Sequence, residues 1–308
     1  MRERGADAEA QSVKQRLLNL AQATGEPFNT MLVRYGIERL LYRLARSRHG
    51  GRFVVKGATG LAVWTGRMHR PTQDVDLLGH GSPDAESLAE VFRHVCATQV
   101  EPDGVTFDPA SVSVEPIRKD AIYQGQRVVM RARLGTARIA LQVDVGFGDA
   151  VTPAAREHTF TTLLGQAAPV LAVYPPETMT AEKLHAVVTL GMANSRMKDY
   201  FDLWTLATGR AFDGDLLCDA LAATFSRRQT PIPQDVPVGL TDAFFLDAAK
   251  VRQWRALLGR VERSGGRAVA GGVEVDLATA GRLVAAFAVP AMRGTARAKK
   301  WDGAAGWR

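Results

Sequence analysis

Apolar positions recur at helical spacing in two early stretches. Residues 8–23 align Val13, Leu17, Leu20 and Ala21, and residues 30–47 align Val33, Ile37, Leu40, Leu41 and Leu44. The second helix carries Arg39, Arg43 and Arg46 on another face, and His49, Gly50 and Gly51 stop it. The period then shortens. Residues 52–57 are a β-branched run ended by Gly57, and residues 58–64 read as a short helix. Residues 73–78 alternate acid and apolar side chains, so a strand there puts Asp74 and Asp76 on one side and turns Val75 and Leu77 to the core. A helix follows at 84–96. Residues 126–134 and 137–145 alternate around Gly135-Thr136, which predicts a hairpin. In its second strand Ile139, Leu141, Val143 and Val145 share one face, and Arg138, Gln142 and Asp144 share the other.

After the apolar run 170–173 and the pair Pro175-Pro176 the pattern is nearly all helical. Helices are expected near 177–193, 197–208, 213–226, 241–259 and 274–288, with a proline-bearing loop at 229–238. The basic, Trp-bearing tail from Arg293 is expected to be partly mobile. The chain thus divides into an α/β part, residues 1–170, and a helical part, residues 171–308, and its 308 residues suit about two domains.

Composition narrows the function classes. With 46% hydrophobic and 23% charged residues the chain can bury a core. No run approaches the ~20 apolar residues of a membrane span, and the first ten residues lack the apolar stretch of a signal peptide. Cys96 and Cys218 are the only cysteines, which excludes a disulfide scaffold and a multi-cysteine zinc site. A cytoplasmic protein with no membrane partner is expected. The net charge of +7 favours polyanionic partners, nucleic acid or nucleotide.

The chemistry concentrates in two places. The first is the strand and glycine turn through Lys56, Gly57, Ala58 and Thr59, followed at Asp74 by the acidic strand. Two carboxylates on one strand face, about 7 Å apart, can share divalent cations. A glycine turn opening a helix offers backbone N–H groups to a phosphate. Together they provide the elements of metal-assisted phosphoryl or nucleotidyl displacement. Asp144 is the best third carboxylate if its strand neighbours the acidic pair; Asp149 could replace it. The second place is helical. Lys183 lies between Met179 and Val187 along an apolar stripe, and Asp199 and Asp202 share a helix face near Arg196. Lys198 and Asp202 have the spacing of a local salt bridge, and a lone His185 is read as structural. Metal-binding, nucleophile-elbow and P-loop motifs are absent.

These residues resemble the AbiEii/AbiGii nucleotidyltransferase-like toxins, which include the mycobacterial MenT toxins. The matching segments are 38–44, 53–57, 70–76, 142–149, 181–186 and 196–202, in that order. The turn departs from the usual Gly-Gly or Gly-Ser, reading Gly57-Ala58-Thr59. The resemblance implies an α+β fold: a DNA polymerase β-like nucleotidyltransferase lobe with a mixed sheet, then an α-helical lobe, with the active site between them. It also implies Mg2+, a nucleoside triphosphate, an antitoxin partner, and a role in a toxin–antitoxin or phage-defence system. MenT-type members add nucleotides to the 3′ acceptor end of tRNA. Carried over, Asp74 and Asp76 would bind metal, Lys183 would be the helical-lobe lysine, and Asp199 or Asp202 the helical-lobe acid.

The leading expectation is therefore a toxin that transfers nucleotides to RNA. Asp74, Asp76 and Asp144 would serve the metal, while Lys56, Lys183 and Arg196 would neutralise triphosphate charge. Arg39, Arg43, Arg46 and the basic tail are expected to favour a polyanionic acceptor. The alternatives are a small-molecule, antibiotic-type nucleotidyltransferase and a non-catalytic binder that keeps only the fold. Thr72, two residues before Asp74, is expected to face the acidic pair, and the resemblance makes it a candidate phosphorylation site, since a phosphate there would compete for the metals.

Overall fold

Val75 and Leu77 are buried, whereas Asp74 and Asp76 are only half-buried, so the acidic segment alternates as a one-sided strand should. The computed structural model describes residues 2–117, 125–264, 269–270, 273–303 and 305–308, without the side chains of 2–6, 269–270 and 273. The chain divides into two units. One comprises Met1–Gly148, Arg156–Val173 and Arg263–Gly265; the other comprises Asp149–Ala155, Tyr174–Glu262 and Gly266–Arg308.

The first unit contains α1 (Arg2–Thr24), α2 (Phe28–Arg46), β1 (Phe53–Lys56), α3 (Gly57–Thr65), β2 (Asp74–Gly79), α4 (Ala85–Ala97), β3 (Val105–Pro116), β4 (Gln126–Leu134), β5 (Ala137–Phe147), β6 (Arg156–Thr159) and β7 (Val170–Val173). The sheet order is β3-β4-β5-β2-β1-β7-β6. It is mixed: β2 runs parallel to β5 and β1 parallel to β7, and the other neighbours are antiparallel. The expected α+β architecture with a mixed sheet is what the chain forms. One sheet face is apolar, with Val128, Met130, Leu141, Val143 and Val145 all buried. Helix α2 crosses β5 at Gly36, where a Cβ would lie 3.0 Å from Leu141 Cδ2.

Helix α2 overturns one expectation. Arg39 and Arg43 are not open to a polyanionic acceptor, being 1% and 7% exposed; of the three arginines only Arg46 is exposed. Arg43 forks onto both carboxylate oxygens of Asp103, at 2.6 and 3.1 Å, and Arg39 Nη2 donates to Glu38 Oε1 at 2.7 Å. The other oxygen of Glu38 accepts from the Leu163 backbone N–H at 2.7 Å. Burial raises the Glu38 pKa, against the pull of Arg39. These charges are internal fastenings.

The second unit contains α5 (Pro176–Leu190), α6 (Met197–Gly209), β8 (Phe212–Asp213), α7 (Gly214–Arg227), α8 (Asp242–Phe245), α9 (Ala248–Arg263), β9 (Val269–Ala270), β10 (Val273–Glu274), α10 (Leu277–Met292), β11 (Lys300–Asp302) and β12 (Gly306–Trp307). The single helix expected over 241–259 is two. Asp247 Oδ1 accepts from the N–H groups of Ala249 and Lys250 and thereby starts α9 afresh. The tail is not loose either. Strand β11 pairs with β8 and β12, and Trp301 is buried beside Phe287, donating its indole N–H to the Ala207 carbonyl at 2.7 Å. The described helices include none long and apolar enough to cross a membrane.

Candidate active site

Strand register builds a ladder of charge across the polar face of the first unit's sheet. Lys56 stands opposite Asp76, Asp76 opposite Asp144, Asp144 opposite Arg127, and Arg127 opposite Glu115. Neighbouring strands lie about 4.8 Å apart, so two adjacent acids are flanked by a cation on each side. Asp74 lies one step along the same face, opposite Gln142. Asp144 is the expected third acid of the row, and it carries a partner that sequence reading missed. Arg127 donates Nε and Nη2 to its two oxygens at 2.9 Å each. The hydrogen bonds to Asp144 are the main cause of a raised Arg127 pKa.

The glycine turn is shaped around Asp76. Gly57 has φ +62°, and a Cβ there would lie 1.9 Å from Asp76 Oδ2. The turn therefore needs glycine twice over, for its backbone and for the carboxylate packed against it. Helix α3 begins at Gly57, so Ala58 and Thr59 lie in its first turn, where backbone N–H groups have no partner within the helix. The Thr59 hydroxyl is buried and forms no hydrogen bond. Thr72 faces the acidic pair as expected: its buried hydroxyl donates to Asp74 Oδ1 at 2.7 Å.

In the second unit Lys183 of α5 donates to Asp199 Oδ1 at 3.1 Å and to Asp202 Oδ2 at 2.7 Å, both on α6. The carboxylates are 1% and 0% exposed, and the lysine side chain 13%. Arg196, half exposed at the start of α6, brings Nε to 2.7 Å from Asp199 Oδ2. Lys198 is exposed, and it is Lys183 that bonds Asp202. Asp149 belongs to this unit, where Arg228 Nη2 holds it at 3.0 Å and lies 3.3 Å from Glu182. The same Arg228 faces His185 Nδ1 at 3.4 Å, and His185 Nε2 meets the Thr230 hydroxyl at 3.0 Å. Neither Arg228 nor Arg127 has a motif that singles it out; only pairing reveals them.

Among the described residues no group of three His, Cys, Asp or Glu side chains is placed to hold a metal ion. Mg2+ does not require one. It takes one or two carboxylates and completes its octahedron with water and substrate phosphates. Asp74 and Asp76 supply two hard oxygen donors from one strand face, beside a turn with free N–H groups, so the residues present fit Mg2+ delivered with a triphosphate.

An acidic strand pair set against a glycine turn suits phosphoryl or nucleotidyl transfer. The family comparison agrees with that chemistry. Residues 39–270 match the family described as "Nucleotidyl transferase AbiEii toxin, Type IV TA system". The chain belongs to this family: it is a nucleotidyltransferase toxin of the type IV toxin–antitoxin kind, which implies a nucleoside triphosphate substrate and an antitoxin partner. A search of curated proteins finds no match. Among solved structures the chain is similar to JHP933 from Helicobacter pylori, at 14% identity and TM-score 0.43, covering 84% of this chain and 93% of that one. A second H. pylori structure, of a candidate nucleotidyltransferase, aligns at 16% identity and TM-score 0.37 over 73% of this chain and 92% of that one.

Proposed function

We propose that the protein transfers nucleotides from a nucleoside triphosphate to an RNA 3′ end, the tRNA acceptor end first among them, in a Mg2+-dependent reaction of the cytoplasm. Growth arrest by disabled tRNA would then serve toxicity and phage defence. The observation that carries this reading is the set of acids Asp74, Asp76 and Asp144 on one sheet face, with Asp76 packed against the Gly57 turn.

In the reaction the RNA 3′ oxygen attacks the α-phosphorus, the bond to the pyrophosphate oxygen breaks, and the hydroxyl proton passes to solvent. Mg2+ held by Asp74 and Asp76 would make the hydroxyl more acidic and screen the triphosphate. Asp144, clamped by Arg127, supports the row from the neighbouring strand. The N–H groups of Gly57, Ala58 and Thr59 receive phosphate oxygens, as a helix start does for anions. Lys56, Lys183 and Arg196 offset triphosphate charge, and Asp199 and Asp202 hold the Lys183 ammonium in position. Catalysis of this kind is mostly positioning and electrostatics. A phosphate on Thr72 would put negative charge against Asp74 and silence the site.

The test is incubation with total tRNA, Mg2+ and each labelled triphosphate in turn. Extension of the RNA by at least one nucleotide is expected. No extension with any triphosphate, or full extension by both Asp74→Asn and Asp76→Asn, would overturn the reading.

A further inference from the structure

The polar face that carries the acid row continues along β4 and β5 as a basic surface, edged by β3, whose Asp108 stands opposite Arg131. Beyond Gln142, which stands opposite Asp74 and Val129, the next registered pairs are Arg131 with Ala140 and Arg133 with Arg138. All three arginines are exposed, and their side chains have no hydrogen-bond or ion-pair partner among the described residues. Arg133 and Arg138 are direct cross-strand neighbours of like charge, an arrangement that costs stability unless an anion lies over it. The acid closest in register, Asp108, turns Oδ1 to the Ala110 backbone N–H at 3.1 Å.

The surface is concave. A hollow of about 760 Å³ is lined by Arg131, Arg133 and Arg138 together with Thr106, Phe107 and Asp108. Arg131 and Arg138 also line a second hollow, of about 550 Å³, which reaches Gln73 and Gln142 beside Asp74. From residue 138 to residue 142 a strand advances about 13 Å, the reach of a few nucleotides.

We propose that this face is the acceptor track. The phosphodiester backbone of an RNA strand lies over Arg131, Arg133 and Arg138, and its 3′ end passes Gln142 and Gln73 to reach Asp74 and Asp76. The inference rests on RNA being the acceptor. Charge complementarity commits the groove to a polyanion. Guanidinium forks suit phosphate oxygens, and their unpaired state leaves them available. The buried Arg39 and Arg43 cannot serve this purpose.

The experiment compares the wild type with Arg131→Gln/Arg133→Gln/Arg138→Gln, the corresponding triple Lys variant, and a control that removes three exposed arginines elsewhere, Arg252→Gln/Arg255→Gln/Arg293→Gln. Fluorescein-labelled deacylated total tRNA is the probe, read as Kd at several salt concentrations and as KM in the extension assay, beside melting curves. The Gln triple is expected to weaken tRNA binding at least tenfold with an unchanged melting temperature and unchanged KM for the triphosphate. Its log Kd against log salt should lose a slope of about 2, since each phosphate contact contributes roughly 0.7–0.9. The Lys triple should keep most of the binding, and the control nearly all.

If the wild type extends tRNA and the Gln triple binds and extends it equally well, or the control loses as much, the track is wrong while the transferase reading stands. If the wild type extends no RNA but the Gln triple alone loses tRNA binding, the transferase reading fails and the basic face stands as an RNA site. If the Gln triple loses affinity for poly-glutamate and none for tRNA, the occupant is an acidic protein and the proposal is overturned.

Discussion

Asp76 Oδ2 occupies the space that a Cβ on residue 57 would need, 1.9 Å away. Glycine at 57 is thus a condition on where the Asp76 carboxylate can sit. Gly57→Ala adds an unfavourable left-handed residue, at about 1–2 kcal/mol, and pushes Asp76 aside. The expected result is a lowering of a few degrees in Tm and a loss of nucleotide transfer on the order of 100-fold, the penalty for displacing a reacting group by about 1 Å. Parallel melting and extension assays check it; transfer at the wild-type rate would refute the packing argument.

Asp74 and Asp76 should behave as one unit. Asp74→Asn and Asp76→Asn each halve the charge of the pair and should each abolish nearly all transfer, with the double variant little worse, as for residues that act together. Mg2+ with a triphosphate should raise the wild-type Tm by ligand linkage, and both variants should lose that rise. The melting curve provides a readout independent of the acceptor RNA.

Thr72 donates its hydroxyl to Asp74 Oδ1 and lies on the same edge of the site. Thr72→Val removes one hydrogen bond, worth about 1 kcal/mol, and should retain most activity. Thr72→Glu places a negative charge beside Asp74 and should abolish it. Equal activities of the two variants in the extension assay would remove Thr72 from consideration as a control point.

Lys183 neutralises two carboxylates that are almost completely buried. A role in triphosphate contact alone would have Lys183→Ala leave folding nearly intact and remove activity. The contacts predict otherwise: Lys183→Ala takes the ammonium away from two buried carboxylates, and the second unit should lose about 3–5 kcal/mol. Adding Asp202→Asn to Lys183→Ala should recover part of that loss, because one of the two buried charges that the ammonium served disappears. Thermal unfolding of the single and double variants decides; an unchanged Tm in Lys183→Ala would show that the ammonium is not structural.

His185 brings a pH dependence of known sign. Burial, reinforced by the Arg228 charge and opposed by Asp149, pushes its pKa down to about 4. An unfolded histidine titrates near 6.5. The unfolded chain therefore takes up a proton that the native one refuses, and stability that is complete above pH 6.5 is lost as the pH falls towards 4. Solvent reaching the half-buried ring screens the effect, so the slope and not its size is the prediction. His185→Gln should flatten that part of the stability–pH curve, measured by urea unfolding from pH 7 to pH 4.5.

The parts of the molecule legible in the sequence are those with a strict local period. The alternation of Asp74, Val75, Asp76 and Leu77, and the hairpin around Gly135, fix their faces without help from distant residues. Asp144 could be named as a third acid because its strand's polar face was already clear; that β5 lies beside β2 is a tertiary fact. Strand β3 escaped because its register shifts between Asp108 and Ser113 and Pro109 interrupts it. The arginines of α2 misled for a related reason. A helical wheel shows that they share a face but not that Asp103, 60 residues from Arg43, comes to meet that face. The short strands β8, β11 and β12 are too brief to carry a period at all.

The burial of Trp301 sets when helix α6 can complete its packing. Helix α6, which carries Asp199 and Asp202, is braced through Ala207 by a strand that pairs with residues 212–213 but is drawn from residues 300–302. Domains generally fold as units during synthesis, those nearest the N-terminus first. The sheet with its acid row can form while the ribosome is still translating, whereas the lysine–aspartate platform lacks its brace until Trp301 has left the exit tunnel. Helix α6 would therefore complete its packing after the sheet, with residues 300–302 as the last part of its support.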